Sequence, residues 1–151
     1  MPLLATDAFR SELTRARPTR VVVMLYDEAI KGLATAIKAI RANDIEERCN
    51  SINVVTEIVA TLHLSLDMDK GGEIAEHLGS LYRFILAELI RINIHSDAEK
   101  AAQVIDVLKP LRDAWVKVDL RLVEGHDMAL VEAVMLEQVE AAGNRFAVHA
   151  A

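Results

Sequence analysis

The chain has 151 residues, 52% of them hydrophobic and 26% charged, which suits one globular domain with a sizeable core. Six glycines and three prolines are too few for an all-β chain rich in turns. A formal net charge of −6 disfavours generic nucleic-acid binding, which needs clustered Lys and Arg against phosphates.

Residues 1–17 read as an N-terminal arm and hold no apolar stretch long enough for a signal peptide. A first helix is expected from about Pro18 to Ala42, with Pro18 at the first helical position, where its missing N–H is no loss. Val23, Tyr26, Ile30, Leu33, Ile37 and Ile40 form one apolar stripe on it. Its start, VVVMLY at Val21–Tyr26, is the densest apolar run and far too short for a membrane span.

In ANDIEE, Asn43 or Asp44 is expected to cap a second helix, with Glu46 or Glu47 completing a capping box. Ile45, Cys49, Ile52, Val55, Val59, Leu62 and Leu66 are its stripe. The stretch SLDMDKGGEIAEHLGSLY follows, with Gly71–Gly72 at its centre. A phosphate loop wants a strand before it and a Gly-Lys-Ser/Thr ending, and a calcium loop wants alternating oxygens over about twelve residues. Neither fits, so a helix–helix turn is expected, with one glycine at positive φ ending the second helix.

A third helix begins near Gly72 and carries Ile74, Leu78, Leu81, Ile85, Leu89 and Ile92. Ser96 with Glu99 reads as another capping box. A fourth helix carries Val104, Leu108, Leu111, Trp115, Val118 and Leu122, with a kink expected near Asp106–Pro110. A fifth, from Asp127 to Ala142, stops at Gly143–Asn144. Long helices joined by connections of a few residues run antiparallel to their neighbours. The expected fold is therefore all-α: an antiparallel up-down four-helix bundle over 18–123, with the arm 1–17 before it and a short C-terminal helix and tail over 124–151.

No catalytic or cofactor chemistry presents itself. His63, His77, His95, His126 and His149 include no pair at a three- or four-residue step, and no Glu-x-x-His motif occurs. Cys49 is the only cysteine, which excludes an internal disulfide and gives no pointer to an oxidising compartment. It lies on a buried stripe and reads as core. The expectation is a cytoplasmic protein that is not an enzyme, with no metal, no cofactor and no membrane insertion.

One feature exceeds what a bundle needs. The first helix has a second apolar strip, Val21, Leu25, Ala29, Gly32 and Ala36. The second helix adds Val54, Ile58 and Thr61, and the third adds Ala75, Gly79, Tyr82, Leu86 and Ile90. These either pack under the arm, the fifth helix or a second subunit of a homodimer, or they form a groove for a partner's amphipathic helices.

VVVMLYDEAIKGL, NDIEERCNSINVVTEIVATL, SLDMDKGGEIAEHLGSLYRFILAELIRINIHSD and VIDVLKPLRDAW occur in this order. Together, from about Val21 to Trp115, they resemble the flagellar secretion chaperone FliS family. The resemblance implies a helical bundle that binds the disordered C-terminal segment of flagellin, prevents its premature polymerisation and aids its delivery to the type III export gate. It also implies that Phe9 stands where the family has a tyrosine near the cargo groove. The chain departs from the family at Arg17, Glu28, Val54 and Pro110. With the second strips, this gives Phe9, Met24, Leu25, Val54, Ile58, Tyr82, Leu86 and Ile90 as expected partner-binding residues on one contiguous surface. An adaptor of the same fold, serving another flagellar or export component, is the alternative.

Overall fold

The computed structural model describes residues 18–125 continuously, and positions 8, 11, 12, 15, 16 and 136 singly. Four helices make up the described chain: α1 (Pro18–Arg41), α2 (Ile45–Leu64), α3 (Met68–His95) and α4 (Ala98–Val123). Their connections are residues 42–44, 65–67 and 96–97, so successive helices reverse direction. The helices close a ring in chain order: α1 packs on α2 and α4, α2 on α3, and α3 more sparsely on α4. The all-α up-down bundle expected from periodicity is what forms. The expected fifth helix and Phe9 lie outside the described residues, except that Leu136 is helical and half-buried.

Each connection uses a carboxylate cap. Asp44 accepts from the Glu47 N–H at 3.0 Å and starts α2. The Glu47 side chain accepts from Ser51 instead of closing a capping box. Asp67 accepts from the Asp69 and Lys70 N–H groups and starts α3. Asp97, not Ser96, caps α4, accepting from Lys100 at 3.0 Å. Ser96 closes α3 in the left-handed conformation, φ 51°. The expected Ser96–Glu99 box does not form: the cap lies one residue on, at Asp97, because Ser96 is occupied in ending the helix before.

The glycine pair behaves half as expected. Gly72 has φ 51° and ψ −129°. However, α2 has already ended at Leu64, with Ser65 as its cap in right-handed geometry. Gly72 instead marks a kink inside α3, between a single turn at Met68–Gly71 and the long helix beyond. Pro110 stands inside α4, which continues helical to Val123, so the missing N–H interrupts one backbone bond without ending the helix.

The core is rotated from the stripe expected on α1. Val23, Tyr26 and Leu33 are buried as expected, but so are Leu25, Ala29, Ala36 and Ala39, whereas Ile30, Ile37 and Ile40 are half-buried. The cause is the α1–α2 seam. A Cβ at Gly32 would stand 2.6 Å from Val55 Cγ2, closer than atoms tolerate. The absent side chain lets the helices approach closely, and the small residues beside it become interior.

Charged groups tie the helices at their edges. Arg112 donates from Nε to Asp27 Oδ1 at 2.7 Å, and Thr19 donates to Asp119 at 2.6 Å; both link α1 to α4. The Asp27 hydrogen bond holds the Arg112 guanidinium above its ordinary pKa, against slight desolvation. Across the sparser α3–α4 seam, the buried Glu88 carboxylate receives Lys100 Nζ at 2.6 Å and also pairs with Arg91. Arg48 on α2 donates to Asn93 on α3 at 3.2 Å and reaches Ser96.

Candidate functional site

The outer face of α2 and α3 is unusually apolar. Among the described residues, Ile45, Leu64, Met68, Ile90 and Ile94 are exposed large hydrophobics, and only Leu120 shares that condition elsewhere. On α3, Ile90 and Ile94 continue at four-residue steps from half-buried Leu86, with buried Gly79 seven residues before it, so these four share one side of the helix. Ile90 is 61% and Ile94 69% exposed, and Leu86 is half-buried. The hydrogen bonds from Arg48 to Asn93 and Ser96 hold the start of α2 against the end of α3. Ile45 (65% exposed) is therefore at the same end as Ile94. Cys49, half-buried, turns its thiol toward Asn93 at 3.6 Å, and half-buried Thr56 and Ala60 follow it at seven- and four-residue steps on the same side of α2. Scattered exposed hydrophobics need no explanation, but a contiguous apolar face marks a contact site.

At the opposite end of the bundle lies a cleft of about 340 Å³. Leu62, Leu66, Ile74, Leu78, Tyr82 and Trp115 are among its walls, and Asp67 and Lys70 stand at the α2–α3 turn beside it. Tyr82 on α3 reaches across the bundle to Tyr26 on α1, with hydroxyl oxygens 2.7 Å apart and ring centroids 6.5 Å apart. This contact joins the two helices that face each other diagonally. Burial above all, then the neighbouring Tyr82 hydroxyl, pushes the Tyr26 pKa well above the ordinary 10.0, with Trp115 acting weakly in the other direction. Burial raises Tyr82 as well, opposed by its bond to Tyr26. Both remain neutral phenols, and each is a donor and an acceptor.

The eight residues expected to form one partner surface are divided by the structure. Leu25 (5% exposed), Ile58 (0%) and Tyr82 (1%) are interior. The expectation that they lie on an open surface is corrected: Leu25 and Ile58 belong to the buried core, and Tyr82 bonds to Tyr26 across the bundle. Met24, Val54 and Leu86 are half-buried against the core, and Ile90 is exposed. Val54 adjoins Val55, which meets Gly32 of α1, whereas Leu86 and Ile90 flank the seam where α2 meets α3. They border different grooves. Phe9 lies outside the described residues. Ile45 and Ile94 were not expected at the site. Ile45 fits the α2 core stripe by spacing, but its position at the first residue of the helix leaves it past the end of the core. Ile94 continues the four-residue step from Leu86 and Ile90, and that step is the clue in the sequence.

Among the described residues no group of three His, Cys, Asp or Glu side chains could hold a metal ion, and no helix is long and apolar enough to cross a membrane. The exposed aliphatic side chains of the face stand beside polar groups at its edge, Arg48 and Asn93 at one end and Arg83 near Gly79.

The model of the family described as flagellar protein FliS matches residues 4–121. A flagellar secretion chaperone FliS of Campylobacter jejuni is 36% identical over 101 residues, covering 67% of this chain and 79% of its own. The protein of that name in Vibrio cholerae is 28% identical over 108 residues, 72% of this chain and 79% of its own. That of Salmonella typhimurium is 28% identical over 115 residues, 76% of this chain and 85% of its own.

Proposed function

The chain belongs to the flagellar protein FliS family, and from that premise we propose that it is a cytoplasmic type III export chaperone whose cargo is the C-terminal segment of flagellin. Its role is to hold that segment until delivery to the export gate, and so to prevent premature polymerisation. The reading supposes binding without catalysis. The observation that carries it is the exposed apolar face of α2 and α3, with Ile45, Leu64, Met68, Ile90 and Ile94 unburied.

An export cargo segment that is disordered when free must bury apolar area to repay its ordering. A long aliphatic stripe meets that need better than a few deep polar contacts. Each aliphatic anchor buried there contributes roughly 1.5–3 kcal/mol, so a few anchors along α3 suffice for tight binding. Leu86 and Ile90 keep their proposed contact roles beside the α2–α3 seam, Met24 and Val54 theirs at a separate groove edge, and Phe9 its own by family resemblance. Leu25, Ile58 and Tyr82 belong to the core.

The experiment is co-purification of the chain with full-length flagellin of the same organism, followed by size-exclusion chromatography. A stable complex that keeps flagellin from forming filaments is expected. If flagellin elutes alone and polymerises at its usual rate, the cargo is another component, and the adaptor reading takes its place.

A further inference from the structure

The Glu88–Lys100 pair, 2.6 Å apart, ties the sparse α3–α4 seam near the start of α4. Toward the other end of that seam the cleft of about 340 Å³ lies between Ile74 and Leu78 of α3 and Trp115 of α4. Its walls are largely aliphatic, and Val22, Leu66, Ile74 and Trp115 among them are half-buried. Apolar walls left open to water favour an apolar cover.

The course of the chain points to the cover. From Trp115, α4 runs on to Val123, roughly 12 Å past the cleft wall. Gly125 then has φ 78°, the left-handed conformation in which helices end and chains reverse. Trp115 stands ten residues before Gly125, and Met135 ten after it. A helix returning antiparallel along α4 therefore brings Met135 and Leu136 level with the cleft. Leu136 is itself helical and half-buried. In sequence, Met128, Val131, Met135 and Val139 follow at three- and four-residue steps, which gives such a helix one apolar stripe. The N-terminal arm is the other tethered candidate. Of its described residues, Ala8, Ser11, Glu12 and Arg15 are exposed, and Ala16, next to α1, is half-buried.

Charge agrees with the same path. Lys100, Val107, Ala114 and Arg121 follow at seven-residue steps and share one side of α4. Lys100 reaches α3, so this side faces α3. Arg121, with Lys117 one turn before it, puts basic groups where that side ends. Between Asp127 and Ala142 the chain carries Asp127, Glu132, Glu137 and Glu140 and no Lys or Arg. A segment tethered by a short link also acts at an effective concentration on the order of millimolar, an advantage over any free occupant.

We propose that the chain's own C-terminal segment, Asp127–Ala142, returns along α4 and seats its apolar side chains around Leu136 in this cleft. The cleft is then filled from within the chain, and the α2–α3 face is the surface left for an outside partner. The inference does not rest on the identity of the cargo.

Trp115 is the only tryptophan, so fluorescence of the full chain without cargo reports on the cleft wall. In Leu136→Asp with Val139→Asp the emission should move to the red and acrylamide quenching should rise severalfold, while circular dichroism stays that of the folded bundle. Phe9→Asp should change neither. A loosened bundle would also expose Trp115, so a second measurement reads proximity. Ser65 lines the cleft and is exposed. In a Cys49→Ser chain, Ser65→Cys and Leu136→Cys should be joined within one molecule by a short bismaleimide. Unchanged quenching in the folded double variant overturns the proposal, as does failure of the cross-link whatever the fluorescence does. Exposure of Trp115 by Phe9→Asp instead assigns the cleft to the N-terminal arm and overturns it equally.

Discussion

Gly72 sits at φ 51° and ψ −129° with nothing within 4 Å of where a Cβ would be. Its requirement is therefore conformational and not steric, since this region is one that residues with side chains avoid. Gly72→Val should lower stability by about 1–3 kcal/mol in denaturant unfolding, with cargo binding nearly unchanged. A loss below the error of the measurement would mean that the backbone relaxes. The need for a positive φ near Gly71–Gly72 was legible, because two adjacent glycines between apolar periodic runs have few other uses. Its place inside α3 was not, because Asp67 captures the helix start ahead of the glycines. The Tyr26–Tyr82 pair gives a pH prediction. Both folded pKa values lie above the unfolded value of 10.0. Their contribution is thus fully present below about pH 10 and is lost as pH rises from there toward the folded values. Denaturant midpoints should fall between about pH 9 and about pH 11, and less steeply in Tyr26→Phe. An equal fall in both proteins would show that other groups govern alkaline unfolding.

The helices α2, α3 and α4 present largely the core faces that their periodicity implied, and α1 does not. The difference lies in residues too small to register as hydrophobic anchors. Ala29, Gly32 and Ala36 read as a weak second strip, yet small size is what admits α2 closely and makes that strip interior. Ile58 reads with the second apolar strip in sequence and is core in the structure; by spacing alone its residue type fits either. The two positions now make opposite predictions. Ile58→Asp places an unpaired charge in a fully buried site and should cost on the order of 3–5 kcal/mol, enough to abolish most of the helical circular dichroism at moderate temperature. Ile90→Asp, on the exposed stripe, should leave the spectrum and, within about 0.5 kcal/mol, the stability unchanged. A folded Ile58→Asp would return that residue to the surface and reopen the α1–α2 groove as the contact site.

In the assembled bundle, α1 is held on both sides and α3 is the helix with a free apolar flank. The ring closes at α3–α4 through sparser packing and the Glu88–Lys100 pair at 2.6 Å. That arrangement leaves the α2–α3 face with the exposed hydrophobics. The bundle itself was legible because helical period, caps and short connections all agree. The position of the contact face was legible only in part: Leu86 and Ile90 depart from the core stripe in sequence, but which seam they border depends on how the helices are paired around the ring. The claim that everything above depends on is that this face holds the cargo. The most direct measurement is isothermal calorimetry of the C-terminal flagellin peptide against the wild-type chain and against Ile90→Asp, Ile94→Asp and the double variant. The expected result is binding by the wild type, a loss of roughly tenfold or more for each single variant, and no measurable heat for the double variant, all with native circular dichroism. Wild-type affinity retained in the folded double variant would contradict the assignment and place the cargo on another face.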